Sequence, residues 1–486
     1  MNNEISKLEP ISLWENFYAL TQIPRPSKKE QQAAKYVEEF GKKLGLETIV
    51  DKTGNVIIKK PATPGMENRK TILLQGHVDM VPQKNSDKQH DFGKDPIETY
   101  IEDGWVKANG TTLGADNGIG VAAAMGILQS KDIPHGPIEA LFTIDEETGM
   151  TGAFGLEAGM LDADILINMD SEDEGELYVG CAGGSNANME FSYSEVQTEA
   201  NTVAFKISLT GLKGGHSGMD IILGRGNANK LMFRLLKELV AAYGVRLASI
   251  DGGSLRNAIP REAFAVVTVP ANNVIEFSET VEEFSSTYKS ELAATEPDLL
   301  LVAEQCDMPS SLMDEIAQDD LVNSIQACPN GVIRMSDAMP GLVETSLNLA
   351  IVKSEGGKTK VLCLIRSSVD TAKEDVESTL ESLFRLAGAK VEFSGQYPGW
   401  KPNPESEILQ VMKDVYNNEF GKIPEIKGIH AGLECGILGA VYPNWDMISF
   451  GPTIRFPHSP DEKVNIETVG KFWKFLLETL KNVPAK

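Results

Sequence analysis

Thr71-Ile-Leu-Leu-Gln-Gly-His-Val-Asp-Met80 is an apolar run that stops at a glycine and then presents His77 and Asp79. The run predicts a buried strand. Residues two apart in a strand point to the same face, so the imidazole and the carboxylate emerge side by side at its end. The pair is either a metal ligand with its orienting partner or a histidine bonded to a nearby aspartate, and for an isolated His-x-Asp the second is commoner. The decision rests on residues further along the chain: Asp116, the Asp145-Glu146-Glu147 run, Asp170 and His458.

Each of these residues closes or succeeds an apolar stretch. Ile138 to Ile144 reads as a strand ending in Asp145-Glu-Glu-Thr-Gly, and Ile165 to Met169 as a strand ending at Asp170. Asp116 stands in Thr111-Thr-Leu-Gly-Ala-Asp-Asn-Gly-Ile-Gly-Val-Ala-Ala-Ala-Met, where small residues open a helix just after it. A carboxylate is favoured there by the helix dipole and the free N–H groups. Alternating strands and helices with polar residues gathered at strand ends predict an α/β domain whose site lies along one edge of the sheet.

The chain of 486 residues exceeds a single compact core, so two or three domains are expected. Hydrophobic residues at 42% and charged residues at 24% suit a soluble globular protein. Lys+Arg number 45 against 70 Asp+Glu, a net charge of −25 that repels phosphate backbones and anionic membranes, so nucleic acid and membrane are excluded as partners. No stretch reads as a bilayer span or a leader, and the five cysteines (Cys181, Cys306, Cys328, Cys363, Cys435) are scattered without a Cys-x-x-Cys pair. A cytoplasmic protein without a thiolate zinc cluster is expected.

Residues 1–189 and 398–486 are assigned to a catalytic α/β domain with a mixed central sheet flanked by helices. Residues 190–397 are assigned to an inserted α/β lid of two similar halves. In the lid, two rounds of strand and helix are visible, Val203–Leu209 with a helix near Ala228–Tyr243 and Lys360–Arg366 with one near Lys373–Leu386. Residues 84–110 read as a long polar loop with a short hairpin, and long loops of this kind are often functional. His90 and His135 fall in polar loop contexts, and the acidic run beyond Asp170 reads as solvated.

Consecutive carboxylates at a strand end repel one another unless cations or water relieve them. Two divalent metals sharing one carboxylate would do so, polarising a carbonyl and acidifying water near neutral pH. Imidazole and carboxylate ligands without thiolate suit zinc, with manganese or cobalt as substitutes.

Six ordered motifs carry a resemblance. Gly76-His-Val-Asp-Met80, Leu113-Gly-Ala-Asp-Asn-Gly-Ile-Gly120, Asp145-Glu-Glu-Thr-Gly-Met150, Asn168-Met-Asp-Ser171, Gly214-Gly-His-Ser-Gly218 and Pro457-His-Ser-Pro460 resemble the co-catalytic di-zinc aminopeptidase and dipeptidase family over nearly the whole chain. The resemblance implies that His458 and Glu147 hold one zinc, that His77 and Asp170 hold the other, and that Asp116 bridges them. Asp79 would orient His77, as metal-bound imidazoles require. Glu146 would be the general base toward a metal-bridging hydroxide, in hydrolysis of unblocked dipeptides, those ending in histidine included. His216 resembles the residue that stabilises the oxyanion. Asn257 and Arg366 resemble substrate contacts, Arg366 for the terminal carboxylate, with a plain surface position the alternative for Arg366. His430 and Glu434, in a glycine-rich segment, are candidates for substrate binding or helix capping. The family also admits a homodimer.

Gly118-Ile-Gly-Val-Ala-Ala123 matches a dinucleotide fingerprint, but Asp116 at that helix start would repel a pyrophosphate, which argues against an oxidoreductase. An N-acyl-amino-acid amidase using the same site and a non-catalytic metal-binding protein are the remaining rivals. Loss of a ligand or of Glu146 would mark the latter, and none is missing.

Overall fold

The computed structural model describes residues 4–486. The chain divides into two compact units, residues 4–180, 402–428 and 433–486 in the first and residues 181–401 with 429–432 in the second. The sequence reading puts the passage between them at 189/190. A single strand, Gly183–Ser192, runs through that point and pairs along its length with Lys358–Ser367 of the second unit, so the division falls ahead of it.

The first unit is built on an eight-stranded mixed sheet in the order Glu47–Val50, Val56–Lys60, Ile138–Thr143, Ile72–His77, Ile165–Asn168, Asp446–Ser449, Glu176–Cys181, Glu425–Ile429. Ile72–His77 is central and parallel to both neighbours, Ile138–Thr143 and Ile165–Asn168. Their carboxyl ends therefore lie on one edge, which is where His77, the 145–147 run and Asp170 emerge. All three strands are buried along their whole length, which is why they read as apolar runs rather than alternating ones. The helix Ala115–Gln129 is buried from Gly118 to Leu128 on every side, consistent with its lack of a polar face.

The long 84–110 segment has a structural task. Its hairpin, Thr99–Glu102 with Trp105–Ala108, joins Lys463–Asn465 and Ile454–Arg455 in a four-stranded sheet. The loop 456–462, which carries His458, spans two strands of that sheet. The hairpin thus pairs with the strand at one foot of the loop, Lys463–Asn465, which in turn holds Ile454–Arg455 at the other.

The second unit is a nine-stranded sheet covered by helices, and it consists of two halves of the same topology. One half runs strand Thr202–Thr210, helix Ala228–Tyr243, strands Arg246–Gly252 and Ala263–Pro270, helix Val274–Glu291, strand Leu300–Gln305. The other runs strand Gly183–Ser192, helix Glu315–Ala327, strands Val343–Glu355 and Lys358–Ser367, helix Asp370–Leu386, strand Lys390–Tyr397. Numbering the four strands of each half in chain order, eight strands read fourth, first, third, second, then second, third, first, fourth, and the ninth, Gly331–Met335, pairs off this path with Val343–Glu355. The halves meet at the short pairing of Asp251 and Gly252 with Lys353 and Val352. One core serves both, with Phe233, Leu236, Phe277, Tyr288, Leu380 and Phe384 fully buried.

Candidate metal centre

Burial and charge compete at the edge of the first unit's sheet. His77 is buried, its Nε2 lying 3.1 Å from Asp116 Oδ1 and 3.4 Å from Asp170 Oδ1, and its Nδ1 3.3 Å from Asp79 Oδ1. Asp116 turns its other oxygen, Oδ2, to His458 Nε2 at 3.2 Å, and that nitrogen also lies 2.9 Å from Glu147 Oε2. Two sets of ligand atoms result, each able to hold a metal ion within a span of 4.8 Å: His77, Asp116 and Asp170, and Asp116, Glu147 and His458. Asp116 belongs to both, with one oxygen for each. A third grouping of His77 with Glu146 and Glu147 overlaps them.

The electrostatics are those of a carboxylate cluster short of positive charge. Burial pushes the Asp170 carboxyl up to about 7, the His77 imidazole opposing this and the charges of Asp116 and Glu147 adding to it. Burial also pushes Glu146 well above the carboxylate range, His77 opposing and Asp170, Glu434 and Glu147 adding. His458 is raised to about 11, first by its hydrogen bonds to Asp116 and Glu147. His77 lies well above its ordinary value because the surrounding carboxylates outweigh its burial. The two imidazolium protons stand where divalent cations would place their charge. Glu147 Oε1 and Asp170 Oδ1 are buried without a hydrogen-bond partner, an arrangement that costs free energy unless a cation is coordinated. The donor set of two imidazoles and three carboxylates suits zinc, manganese or cobalt.

Asp79 does more than face His77. Its oxygens accept the backbone N–H groups of Glu146, at 3.0 Å, and Glu147, at 3.3 Å, and the hydroxyl of Ser27, at 2.8 Å. Burial alone would raise its pKa, but these bonds and the His77 imidazole hold it down to about 2, so Asp79 stays ionised. Asp145 points away from the cluster and accepts the hydroxyls of Thr148 and Thr151. It closes the sharp turn at φ 50° that delivers Glu146 and Glu147. His458 also sits at positive φ, 58°, an uncommon conformation for a non-glycine residue.

Glu434 begins the helix Glu434–Val441 in the first unit and is buried there; its Oε2 accepts Gln75 Nε2 at 2.6 Å and Thr143 Oγ1 at 2.8 Å, and Oε1 has no partner. Gln75 Oε1 in turn accepts Asn168 Nδ2 at 2.6 Å, so a buried polar chain ties three central strands together behind His77 and Asp170. The remaining candidates gather in the second unit. His216 Nδ1 accepts the backbone N–H groups of Gly218, at 3.2 Å, and Met219, at 3.0 Å, which leaves the imidazole proton on Nε2. Burial and the Arg366 charge lower its pKa and keep it neutral. Arg366 is buried rather than a surface residue, with Nη1 3.3 Å from the Tyr397 hydroxyl and Nε without a partner. His430 is buried with Nε2 2.7 Å from Ser346 Oγ. Asn257 is exposed, and its carbonyl accepts the Ser217 N–H beside His216.

A family model for peptidase family M20/M25/M40 matches residues 73–482. The chain belongs to this family. It is therefore a peptidase of a metal-dependent class. It is 49% identical over 484 residues to the cytosol non-specific dipeptidase of Escherichia coli (strain K12), covering 100% of both chains. The crystal structure of aminoacylhistidine dipeptidase from Vibrio alginolyticus superposes with a TM-score of 0.96 at 52% identity over 99% of each chain. Aminopeptidase PepT from Bacillus cereus ATCC 10987 shares the fold alone, with a TM-score of 0.57 at 17% identity over 98% of this chain and 99% of that one.

Several structural facts differ from the sequence reading. His135, in a polar stretch, is nonetheless fully buried, its Nδ1 2.7 Å from the Gly136 carbonyl, a structural position in its loop. The acidic run beyond Asp170 is largely partnered, Asp173 by Arg455, Glu174 by Tyr416 and Glu176 by Lys427 and Tyr178. Arg25 and Glu462, the two buried charges that brace the centre, escape the sequence reading because their partners are backbone groups distant in sequence.

Proposed function

We propose that this family M20 chain hydrolyses unblocked dipeptides, Xaa-His among them, with two divalent cations held by His77, Asp116 and Asp170 and by Asp116, Glu147 and His458, zinc being the expected ion. The observation that carries the reading is Asp116, which offers one oxygen to each ligand set, with the half-buried Glu146 beside them. The names of the two full-length relatives support the substrate class, and the name of the first, together with five cysteines scattered without a Cys-x-x-Cys pair, supports a cytoplasmic setting.

Bound cations supply Lewis-acid polarisation of the scissile carbonyl and acidify water at the site. The chain's own residues do the rest. Glu146, with its carboxyl raised by burial, takes a proton from the attacking water and returns it to the leaving amine as the C–N bond breaks. Asp79 keeps His77 in one tautomer and holds the Glu146 backbone still. His216, whose Nδ1 is already occupied, is assigned donation of its Nε2–H to the carbonyl oxygen as charge develops there. Arg366 is assigned the terminal carboxylate, its guanidinium Nε being free to pair. Asn257, His430 and Glu434 are assigned further contacts to the substrate.

The test is zinc content per chain together with hydrolysis of alanyl-histidine, β-alanyl-histidine, a tripeptide and an N-acetyl amino acid. Two zinc ions with cleavage confined to dipeptides supports the reading. Preference for the acetylated substrate would replace it by an amidase, and metal without cleavage by a binding protein.

A further inference from the structure

Three ligand-bearing segments of the first unit meet at the centre: 77–80, 113–117 and 456–462. No strand pairing joins the second of them to the other two, yet Asp116 must serve both ligand sets. Two buried charges make the connection instead. Glu462, in the same loop as His458, accepts four consecutive backbone N–H groups, those of Leu113 at 2.7 Å and Gly114 at 2.9 Å on Oε2 and those of Ala115 at 2.8 Å and Asp116 at 3.2 Å on Oε1. Arg25 reaches the other way. Its Nη2 donates to the Gly114 carbonyl at 2.5 Å, and its Nη1 donates to the carbonyls of Val78 and Asp79, each at 3.0 Å.

The surrounding sequence is shaped to this pair. Gly114 has φ 70°, and a Cβ there would lie 2.5 Å from Arg25 Nη2; at Gly118 it would lie 2.7 Å from the same atom. Both glycines leave room for the guanidinium. Both charged side chains are almost entirely withdrawn from solvent, at 2% exposure each. A carboxylate that fills both oxygens with main-chain donors, and a guanidinium that joins three main-chain carbonyls, fix backbone more rigidly than a single contact would.

We propose that Arg25 and Glu462 are positioning residues that set the spacing of the two ligand sets, Arg25 tying the His77 segment to Asp116 and Glu462 tying Asp116 to the His458 segment. The proposal rests on the two-cation reading. Each residue acts on a different side of the shared Asp116, so the two sites respond separately. Loss of Arg25 loosens the set of His77, Asp116 and Asp170; loss of Glu462 loosens the set of Asp116, Glu147 and His458.

The experiment equilibrates full-length wild type, Arg25→Lys and Glu462→Gln against graded zinc buffers and reads the occupancy of each site by anomalous diffraction at the zinc edge. Thermal unfolding is recorded alongside. Glu462→Gln is expected to need about 10–100-fold more free zinc to fill the His458-side site, with the His77-side site near wild type, and Arg25→Lys to show the reverse. Turnover of both variants recovers as zinc is raised. A fall in unfolding temperature with both affinities unchanged, or equal weakening of both sites in each variant, overturns the proposal in favour of a plain structural strut. If one variant does not fold, the other still decides, because each makes its own site-specific forecast. Wild type with no zinc at either site would sink the two-cation reading itself, which is distinguishable because it does not depend on the variants.

Discussion

At the scale of single residues, the centre separates the proposed metal-holding groups from Glu146, the one assigned to move a proton. Glu146 lies among the ligand carboxylates but belongs to neither of the two sets that share Asp116. Glu146→Gln is therefore expected to keep zinc content while turnover falls by about 10²–10⁴-fold, the usual worth of a positioned acid–base group. Metal analysis and kcat on the same sample check this, and retained turnover would remove Glu146 from its role. His430 carries a second forecast. Burial, then the Arg366 charge and His216, depress its pKa from 6.5 to about 3. The folded chain thus holds it neutral while the unfolded chain takes up a proton below pH 6.5. Its contribution is present above that pH and is lost as pH falls toward 3, with a slope of at most about 1.4 kcal/mol per unit. Its imidazole NMR resonance should stay flat between pH 5 and 8, and a midpoint near 6.5 would refute the assignment. His77, Asp116, Glu146, Glu147 and Asp170 are legible in the sequence because each is a polar residue abutting an apolar run or a glycine-rich turn, whereas His458, between Pro457 and Pro460, is legible only as a member of the ordered set. Arg25 and Glu462 are not, since hydrogen bonds to main-chain groups leave no residue-type signature at the partner positions.

At the scale of elements, legibility tracks burial. Ile72–His77, Ile138–Thr143 and Ile165–Asn168 are covered on both faces, so their apolar runs announce them, and their parallel pairing aligns the ligand-bearing ends. The second unit hides its true repeat. The first strand of one half, Gly183–Ser192, precedes the entire other half, which is inserted ahead of the helix Glu315–Ala327. Sequence order then pairs the first strand and helix of one half with the third strand and second helix of the other, and only hydrogen bonding across the sheet reveals the mirrored order. The close packing behind the metal strand yields a prediction of its own. A Cβ at Gly76 would come within 2.2 Å of Asn117 Oδ1, and Asn117 Nδ2 donates to the Met169 carbonyl at 2.6 Å. Gly76→Ala should push Asn117 aside, costing about 1–3 kcal/mol by overpacking. Because Asn117 adjoins Asp116, zinc affinity should fall with it. Denaturant unfolding and zinc titration of that variant measure both, and an unshifted midpoint would show that the contact yields without cost.

For the whole molecule, the net charge of −25 is distributed with a concentration where the fold can least tolerate it. Asp79, Asp116, Glu146, Glu147 and Asp170 converge at one sheet edge, and Asp79 is fully buried. Like charges brought together away from water oppose folding, and imidazolium protons answer only part of that repulsion. Divalent cations bound by the folded chain alone stabilise it by mass action, about 2.7 kcal/mol for each site at a free concentration one hundred times its dissociation constant. Chelation should therefore do two things at once: abolish turnover reversibly and lower the unfolding temperature. The lowering should grow with chelator strength, vanish on return of zinc, and shrink in Asp116→Asn, which weakens both sites by removing the charge they share. The first unit contains every proposed ligand, so its transition should move while that of the second unit stays in place if the two unfold separately. Calorimetry with and without chelator reads this directly, and an unfolding trace indifferent to chelator would mean that the carboxylates are relieved by protons and solvent instead of by metal.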